Sequence, residues 1–360
     1  MQRFFLIFIL LLGFCFCANA QYHYDAGISA TFGTIAAHHS EMKYLITEPV
    51  YNINAELLLP INPNKNWAYH WRGARTGIGI FAGDLGNKKL AGEAFSVFSF
   101  VEIPIFKKHS HKIYYRMGGG VAYLTSAFDP IDNYHQIAIG THLNAHIHFS
   151  MAYRYKFNKI PLSMDIGFNF NHFSNGGIDK PNLGFNLLGL NYGIFYKLGN
   201  NNIEHSNHDL NFNPDNKLSF HIVTGIAFYK NFVYDKKYYT INNLQLYATY
   251  RCNYKRSWGV GTDIIYDTSI PDFYEDADYN TLKNKIRSGV FLCQDLHFGK
   301  NFIFFMQLGC YVYNPKPVDG FVYERLGVQV KLVNNLNASI AVKAHAAVAN
   351  GIETSIGYTF

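Results

Sequence analysis

Beyond residue 21 the chain has no apolar run of 18 residues, the length a helix needs to cross a hydrocarbon layer, so helical membrane spans are not expected. Charge is scarce: Asp, Glu, Lys and Arg together make up only 16% of the 360 residues. Cysteine is scarce too. Of five, Cys15 and Cys17 lie in an N-terminal apolar stretch with no convincing lipobox, which argues against a lipoprotein. Cys252, Cys293 and Cys310 remain, an odd number scattered over apolar segments, so a disulfide framework is excluded and buried thiols are expected. No long helical period, phosphate-cradling glycine loop or redox cysteine pair is present. The acidic stretch Asp272–Asp278 lacks the glycine and spacing of a calcium loop and reads as a solvated loop. Neither a cofactor nor a nucleic-acid partner is expected.

What the chain does have is aromatic residues, 31 Phe and 27 Tyr, and an N-terminus that looks built for export. Arg3 precedes a stretch from Phe4 to Cys17 that is apolar apart from glycine, and Ala18-Asn19-Ala20 offers a small-x-small cleavage site. Residues 1–20 are therefore expected to be a signal peptide cleaved after Ala20. Losing Arg3 with it takes the formal charge from +6 to +5, a mild basicity that suits anionic headgroups. Export, abundant aromatics and two-residue alternation together predict an all-β transmembrane antiparallel up-and-down barrel in residues 21–360. A backbone in hydrocarbon must satisfy its hydrogen bonds internally, and a closed barrel does so.

Strands are expected to begin near Tyr24, Val50, Ala68, Leu90, Lys112, Leu143, Pro161 and Phe185. After a loop-like segment, 200–217, a further set begins near Leu218, Ile241, Trp258, Lys285, Asn301, Val322, Asn337 and Gly351. One barrel of about 14–16 strands is the favoured reading, with two eight-stranded units as the alternative. Both halves end alike, in Tyr192-Gly-Ile-Phe-Tyr-Lys-Leu198 and Ile356-Gly-Tyr-Thr-Phe360.

The segment His172-Phe-Ser-Asn-Gly-Gly-Ile-Asp-Lys-Pro-Asn-Leu-Gly-Phe-Asn186 carries the chemistry. Stepping back from Ser174 by twos gives His172, Phe170, Phe168, Ile166 and Met164; the other parity gives Phe173, Asn171, Asn169, Gly167 and Asp165. Alternate strand side chains face opposite sides, so Ser174 and His172 belong to the apolar, lipid-facing row. A serine becomes a competent nucleophile when an imidazole accepts its proton, and two residues apart on one strand the pair can meet. Asn186 aligns with Leu188, Leu190 and Tyr192, on the apolar face of the next strand. A hydrolase with its nucleophile on that surface should act on a lipid.

These residues resemble the PagL-type lipid A 3-O-deacylases (acyloxyacyl hydrolases), outer-membrane barrels that hydrolyse the acyl ester at position 3 of lipid A. The similarity is specific across Asn171–Leu198 and loosely supports residues 21–199; the family prototype has eight strands, which leaves 218–360 as additional barrel strands. The resemblance implies Ser174 as nucleophile, His172 as general base, Asn182 and the Gly177 amide as the oxyanion hole, and Asn175 as a supporting residue. Where the prototype has a glutamate that orients the histidine, this chain has Asn186. It further implies a lipid A or lipopolysaccharide substrate and the outer membrane of a Gram-negative bacterium. The C-terminal Phe360, on one face with Tyr358 and Ile356, resembles the signature read by the barrel-insertion machinery.

Other polar clusters have plainer readings. His142, His146 and His148 are expected to line the lumen beside Asn144 and Ser150, and His345 and Glu353 to form a lumen network. His38 and His39 fall near Glu41 in a loop. The competing functions are a non-catalytic porin or structural barrel, which requires a wide lumen, and an outer-membrane phospholipase.

Overall fold

The computed structural model describes residues 24–59, 69–199, 217–274, 279–299, 301–346 and 348–360. The expected signal peptide, the connection 200–216, the expected strand start at Ala68 and residues 275–278 of the acidic stretch lie outside the described residues.

The alternating segments form sixteen antiparallel strands. The first half contains β1 (Tyr24–Ile35), β2 (Val50–Leu58), β3 (Arg75–Asp84), β4 (Glu93–Lys108), β5 (His111–Leu124), β6 (Leu143–Lys156), β7 (Leu162–Ser174) and β8 (Phe185–Leu198). The second contains β9 (Leu218–Tyr229), β10 (Tyr239–Arg251), β11 (Arg256–Asp267), β12 (Ile286–Phe298), β13 (Phe302–Tyr313), β14 (Val322–Lys331), β15 (Leu336–His345) and β16 (Val348–Thr359).

They close as two barrels of eight, not as one of sixteen. Strand β8 returns to β1 through pairs from Tyr24↔Leu198 to Ile35↔Leu187, and β16 returns to β9 through pairs such as Thr354↔Ile226. The single large barrel favoured from sequence is thus corrected to its alternative.

The inward rows supply the physical reason. An eight-stranded barrel is just wide enough for side chains to meet across it. In the first barrel Arg116 bridges Glu56 at 2.6 Å and Glu102 at 2.8 Å, Arg154 holds Asp165 at 2.6 Å, and Lys112 also pairs with Glu102. In the second, Arg325 holds Asp263 at 3.0 Å and Glu353 at 2.5 Å, while Arg287 holds Asp267 at 2.8 Å. Each half pairs the charges that point into its own barrel, and a wider barrel would separate them. The filled interiors do not offer the wide lumen that a porin requires.

The outward rows are apolar. On β7 and β8, Met164, Ile166, Phe168, Leu188, Leu190 and Tyr192 are between 41% and 62% exposed, whereas Asp165, Asn169 and Asn171 on the other parity are buried. At the end bearing the β1–β2, β3–β4, β5–β6 and β7–β8 connections, Met42, Leu45, Phe81, Leu85, Phe173 and Phe185 plug the first barrel.

The barrels touch at both ends. Asp179 of the β7–β8 connection pairs with Lys230 at 2.9 Å. At the opposite end the Trp71 indole donates to the His297 carbonyl at 2.8 Å and stacks on Phe298.

The bland readings mostly hold. His146 and His148 are buried and share Asn171 Oδ1, at 3.0 and 2.9 Å. His345 meets the Tyr311 hydroxyl at 2.7 Å, and Glu353 pairs with Arg325. His142 departs from the lumen reading: it precedes β6, bonds the Leu124 carbonyl and stacks on Tyr123. The three cysteines are free thiols, but only Cys293 is fully buried; Cys252 is exposed in the turn after β10, which corrects the expectation of buried thiols. Among the described residues no His, Cys, Asp or Glu group converges to hold a metal ion.

Candidate functional site

The site forms where β7 and β8 reach their shared connection. Register places His172 directly opposite Asn186, one pair below Phe173↔Phe185. Both side chains lie on the outward face, since the flanking Phe173 and Phe185 are buried inside the barrel. Directly paired residues stand close enough for side-chain contact, and His172 Nδ1 lies 2.6 Å from Asn186 Oδ1. A carbonyl oxygen only accepts, so Nδ1 carries the proton and Nε2 keeps its lone pair, the state a general base needs.

The other end of the Asn186 amide is also held. Its Nδ2 donates to His38 Nδ1 at 2.9 Å, so the asparagine joins His172 of β7 to a histidine of the β1–β2 connection. His38 went unnoticed in the sequence as a site residue. Its loop position shows no periodicity, and 148 residues separate it from Asn186.

Ser174 is the last residue of β7, outward and half-buried. The pairing of β7 with β8 ends at Phe173↔Phe185, and Gly184 immediately precedes β8. That glycine has a φ of +80°, and a Cβ there would lie 2.9 Å from His172 Cε1 and 3.5 Å from Nε2. The imidazole therefore reaches from Asn186 toward Gly184. Among the described residues no hydrogen bond joins Ser174 Oγ to His172. The structure brings His172, Asn186 and His38 together and leaves the serine beside them.

The connection from Asn175 to Gly184 is organised by Asn175, which is 3% exposed. Its amide N–H donates to Asn182 Oδ1 at 2.9 Å, and its Nδ2 donates to the Asp179 carbonyl at 3.0 Å. Its Oδ1 accepts from the Gly177 amide at 2.9 Å. Asn182 thus has its oxygen engaged and its amide nitrogens left as the donor end. The Gly177 amide is occupied internally, and its φ of +91° turns this residue against Tyr229 of the second barrel. Within the same connection, burial and then repulsion from Lys316 push the Lys180 ammonium below the usual lysine range.

Below the polar cluster the barrel wall is grooved. Phe32, Phe168, Leu188 and Leu190, with the backbone of Gly33 and Gly189 between them, line a depression of about 510 Å³. A Cβ at Gly189 would lie 2.5 Å from the Phe32 carbonyl oxygen, which explains the glycine at this crossing of β1 and β8.

The family model described as lipid A 3-O-deacylase (PagL) matches residues 53–195, and that described as acyloxyacyl hydrolase, C-terminal domain, matches residues 216–360. Comparison with curated proteins found no match. Among solved structures, Neisserial surface protein A is similar at 10% identity, covering 48% of this chain and 96% of that one, with a TM-score of 0.33. The outer membrane enzyme PagL is similar at 16% identity, covering 47% and 98%, with a TM-score of 0.31. The NanC porin covers 92% of this chain and 97% of its own at 8% identity, with a TM-score of 0.16.

Proposed function

The chain belongs to the PagL-type lipid A 3-O-deacylase family of acyloxyacyl hydrolases, and from that premise we propose that Ser174 and His172 hydrolyse the 3-O-linked acyl ester of lipid A from the outer face of the first barrel. The observation that carries the reading is the outward cross-strand pair of His172 and Asn186, two residues along β7 from Ser174, on an apolar wall. Twelve-residue strands extend about 40 Å; tilted by about 45° they cover about 29 Å, close to the thickness of a hydrocarbon core. The apolar outer rows would then lie in the outer membrane of a Gram-negative bacterium, with the β7–β8 connection at the level of the sugar headgroups.

In this reading lipid A approaches sideways. One acyl chain lies in the Phe168–Leu190 groove, which aligns it more than it binds it, because the competing surroundings are lipid and equally apolar. Ser174 Oγ attacks the ester carbonyl while its proton passes to His172 Nε2, and Asn186 Oδ1 holds Nδ1–H in place. The oxyanion receives hydrogen bonds from Asn182 Nδ2 and from the Gly177 amide, which shifts its donation from Asn175 Oδ1. Donors of this kind stabilise the transition state by about 2.7–4 kcal/mol each in a protease example. The sugar oxygen leaves with the proton from His172, and water then hydrolyses the acyl-serine by the same relay in reverse order. The missing Ser174–His172 hydrogen bond is compatible with a pair that closes on substrate, as catalytic contacts often tighten only in the complex. No cofactor takes part in this scheme.

Mass spectrometry of lipid A from a lipopolysaccharide-producing host tests the proposal. Wild type is expected to remove one 3-O-linked chain and Ser174→Ala to leave it. Identical spectra retaining that chain, or fatty acid released only from glycerophospholipids, would overturn it.

A further inference from the structure

The connection that carries the oxyanion donors is anchored by the second barrel. Asp179 projects across the junction: its Oδ1 accepts from Lys230 Nζ at 2.9 Å and its Oδ2 from the Tyr238 hydroxyl at 3.1 Å. Both donors belong to the β9–β10 region, and the ion pair is largely buried, at 13% and 19% side-chain exposure. Oδ1 also accepts the Lys180 amide at 2.8 Å, so the carboxylate is fully engaged.

From Asp179 the contacts run without a gap to the catalytic end. Its carbonyl accepts Asn175 Nδ2; Asn175 N–H fixes Asn182 Oδ1, and Asn175 Oδ1 fixes the Gly177 amide. Asn175 follows Ser174 directly. The same connection packs onto the second barrel at two glycines. A Cβ at Gly176 would lie 2.3 Å from Ile352 Cγ1, and one at Gly177 would lie 3.0 Å from the Ala349 carbonyl oxygen. Such close approach leaves the connection little freedom on that side.

We propose that Lys230 and Tyr238 are positioning residues for the hydrolysis, and that the second barrel sets the oxyanion donors through Asp179. This inference rests on the assignment of the β7–β8 connection as the oxyanion loop. It gives residues 218–360 a part in the reaction without placing any of them against substrate. A loop tethered only to its own barrel could drift by the ångström that costs a well-aligned site about a hundredfold in rate.

The test uses full-length protein in detergent micelles, with lipid A as substrate and rates normalised to folded protein from heat-modifiable gel mobility. Lys230→Met and Tyr238→Phe are expected to lower kcat about tenfold and about threefold respectively, leaving KM within about twofold. Lys230→Arg retains most of the rate. The exchange Asp179→Lys with Lys230→Asp is expected to recover activity lost in either single reversal, because a partly buried pair couples strongly. Unchanged kcat in Lys230→Met, or a loss confined to the amount of folded protein, would overturn the proposal. An inactive Ser174→Ala beside a fully active Lys230→Met would reject the clamp and leave the hydrolase reading intact. An active Ser174→Ala would reject the hydrolase reading itself.

Discussion

At the scale of single residues the account turns on how Asn186 supports His172. Its carbonyl oxygen selects the Nδ1–H tautomer at 2.6 Å, but an amide gives an imidazolium no charge compensation. In a serine protease the acid-to-amide exchange costs about 10⁴ in turnover. Asn186→Glu is accordingly expected to raise the initial deacylation rate at least about tenfold, with the carboxylate accepting from His172 Nδ1–H and from His38 in its Nδ1–H tautomer. Asn186→Leu, which releases both rings, is expected to lower it by about the same factor or more. Gly184→Ala probes the same ring from the other side. Its left-handed backbone costs about 1–2 kcal/mol with a side chain, and the new methyl would press on His172 Cε1. Deacylation rate should fall far more than the thermal midpoint. Sequence parity was enough to put Ser174, His172 and Asn186 on the apolar face, because period two is the one regularity a strand cannot escape. It said nothing of His38 or Asp179, whose positions are set by connections that have no period.

At the scale of elements, β7 and β8 act as a pair. Their register sets His172 against Asn186 and continues below them as the Phe168, Leu188 and Leu190 wall. Leu190→Trp should partly fill that groove and slow hydrolysis of long-chain p-nitrophenyl esters several-fold while leaving the butyryl ester unchanged. Equal slowing of both would mean the groove does not hold the acyl chain. Most strand starts were legible within a few residues, since a change from alternation to turn residues marks them. The start of β3 was not: it begins at Arg75, past the expected Ala68, because Trp71 and Ala74 belong to the packing between barrels instead of to a strand.

At the scale of the whole molecule, alternation records which way a side chain faces but not which strand closes on which. Eight and sixteen strands share one pattern. The distinguishing information lies in the inward charges, where Glu56, Glu102, Arg116, Arg154 and Asp165 satisfy one another in the first half and Asp263, Arg287, Arg325 and Glu353 belong to the second. Removing one partner of a buried pair leaves an uncompensated charge, at a cost of about 3–5 kcal/mol. Arg325→Met is therefore expected to open the second barrel selectively. In limited proteolysis over a urea series, cleavage within 218–360 should appear at lower urea than in wild type, while 24–199 stays protected to its usual concentration. Simultaneous opening of both halves would contradict independent closure.

The central claim is an outward serine made nucleophilic by its neighbouring histidine, and covalent trapping tests it most directly. Full-length protein in lipid vesicles would be treated with a long-chain alkyl fluorophosphonate, which loses fluoride as the serine oxygen bonds to phosphorus, and its peptides would be mapped by mass spectrometry. The expected result is one adduct on Ser174, formed rapidly in wild type and about a hundredfold more slowly in His172→Ala. An unlabelled Ser174, or labelling at the same rate in both proteins, would contradict the account.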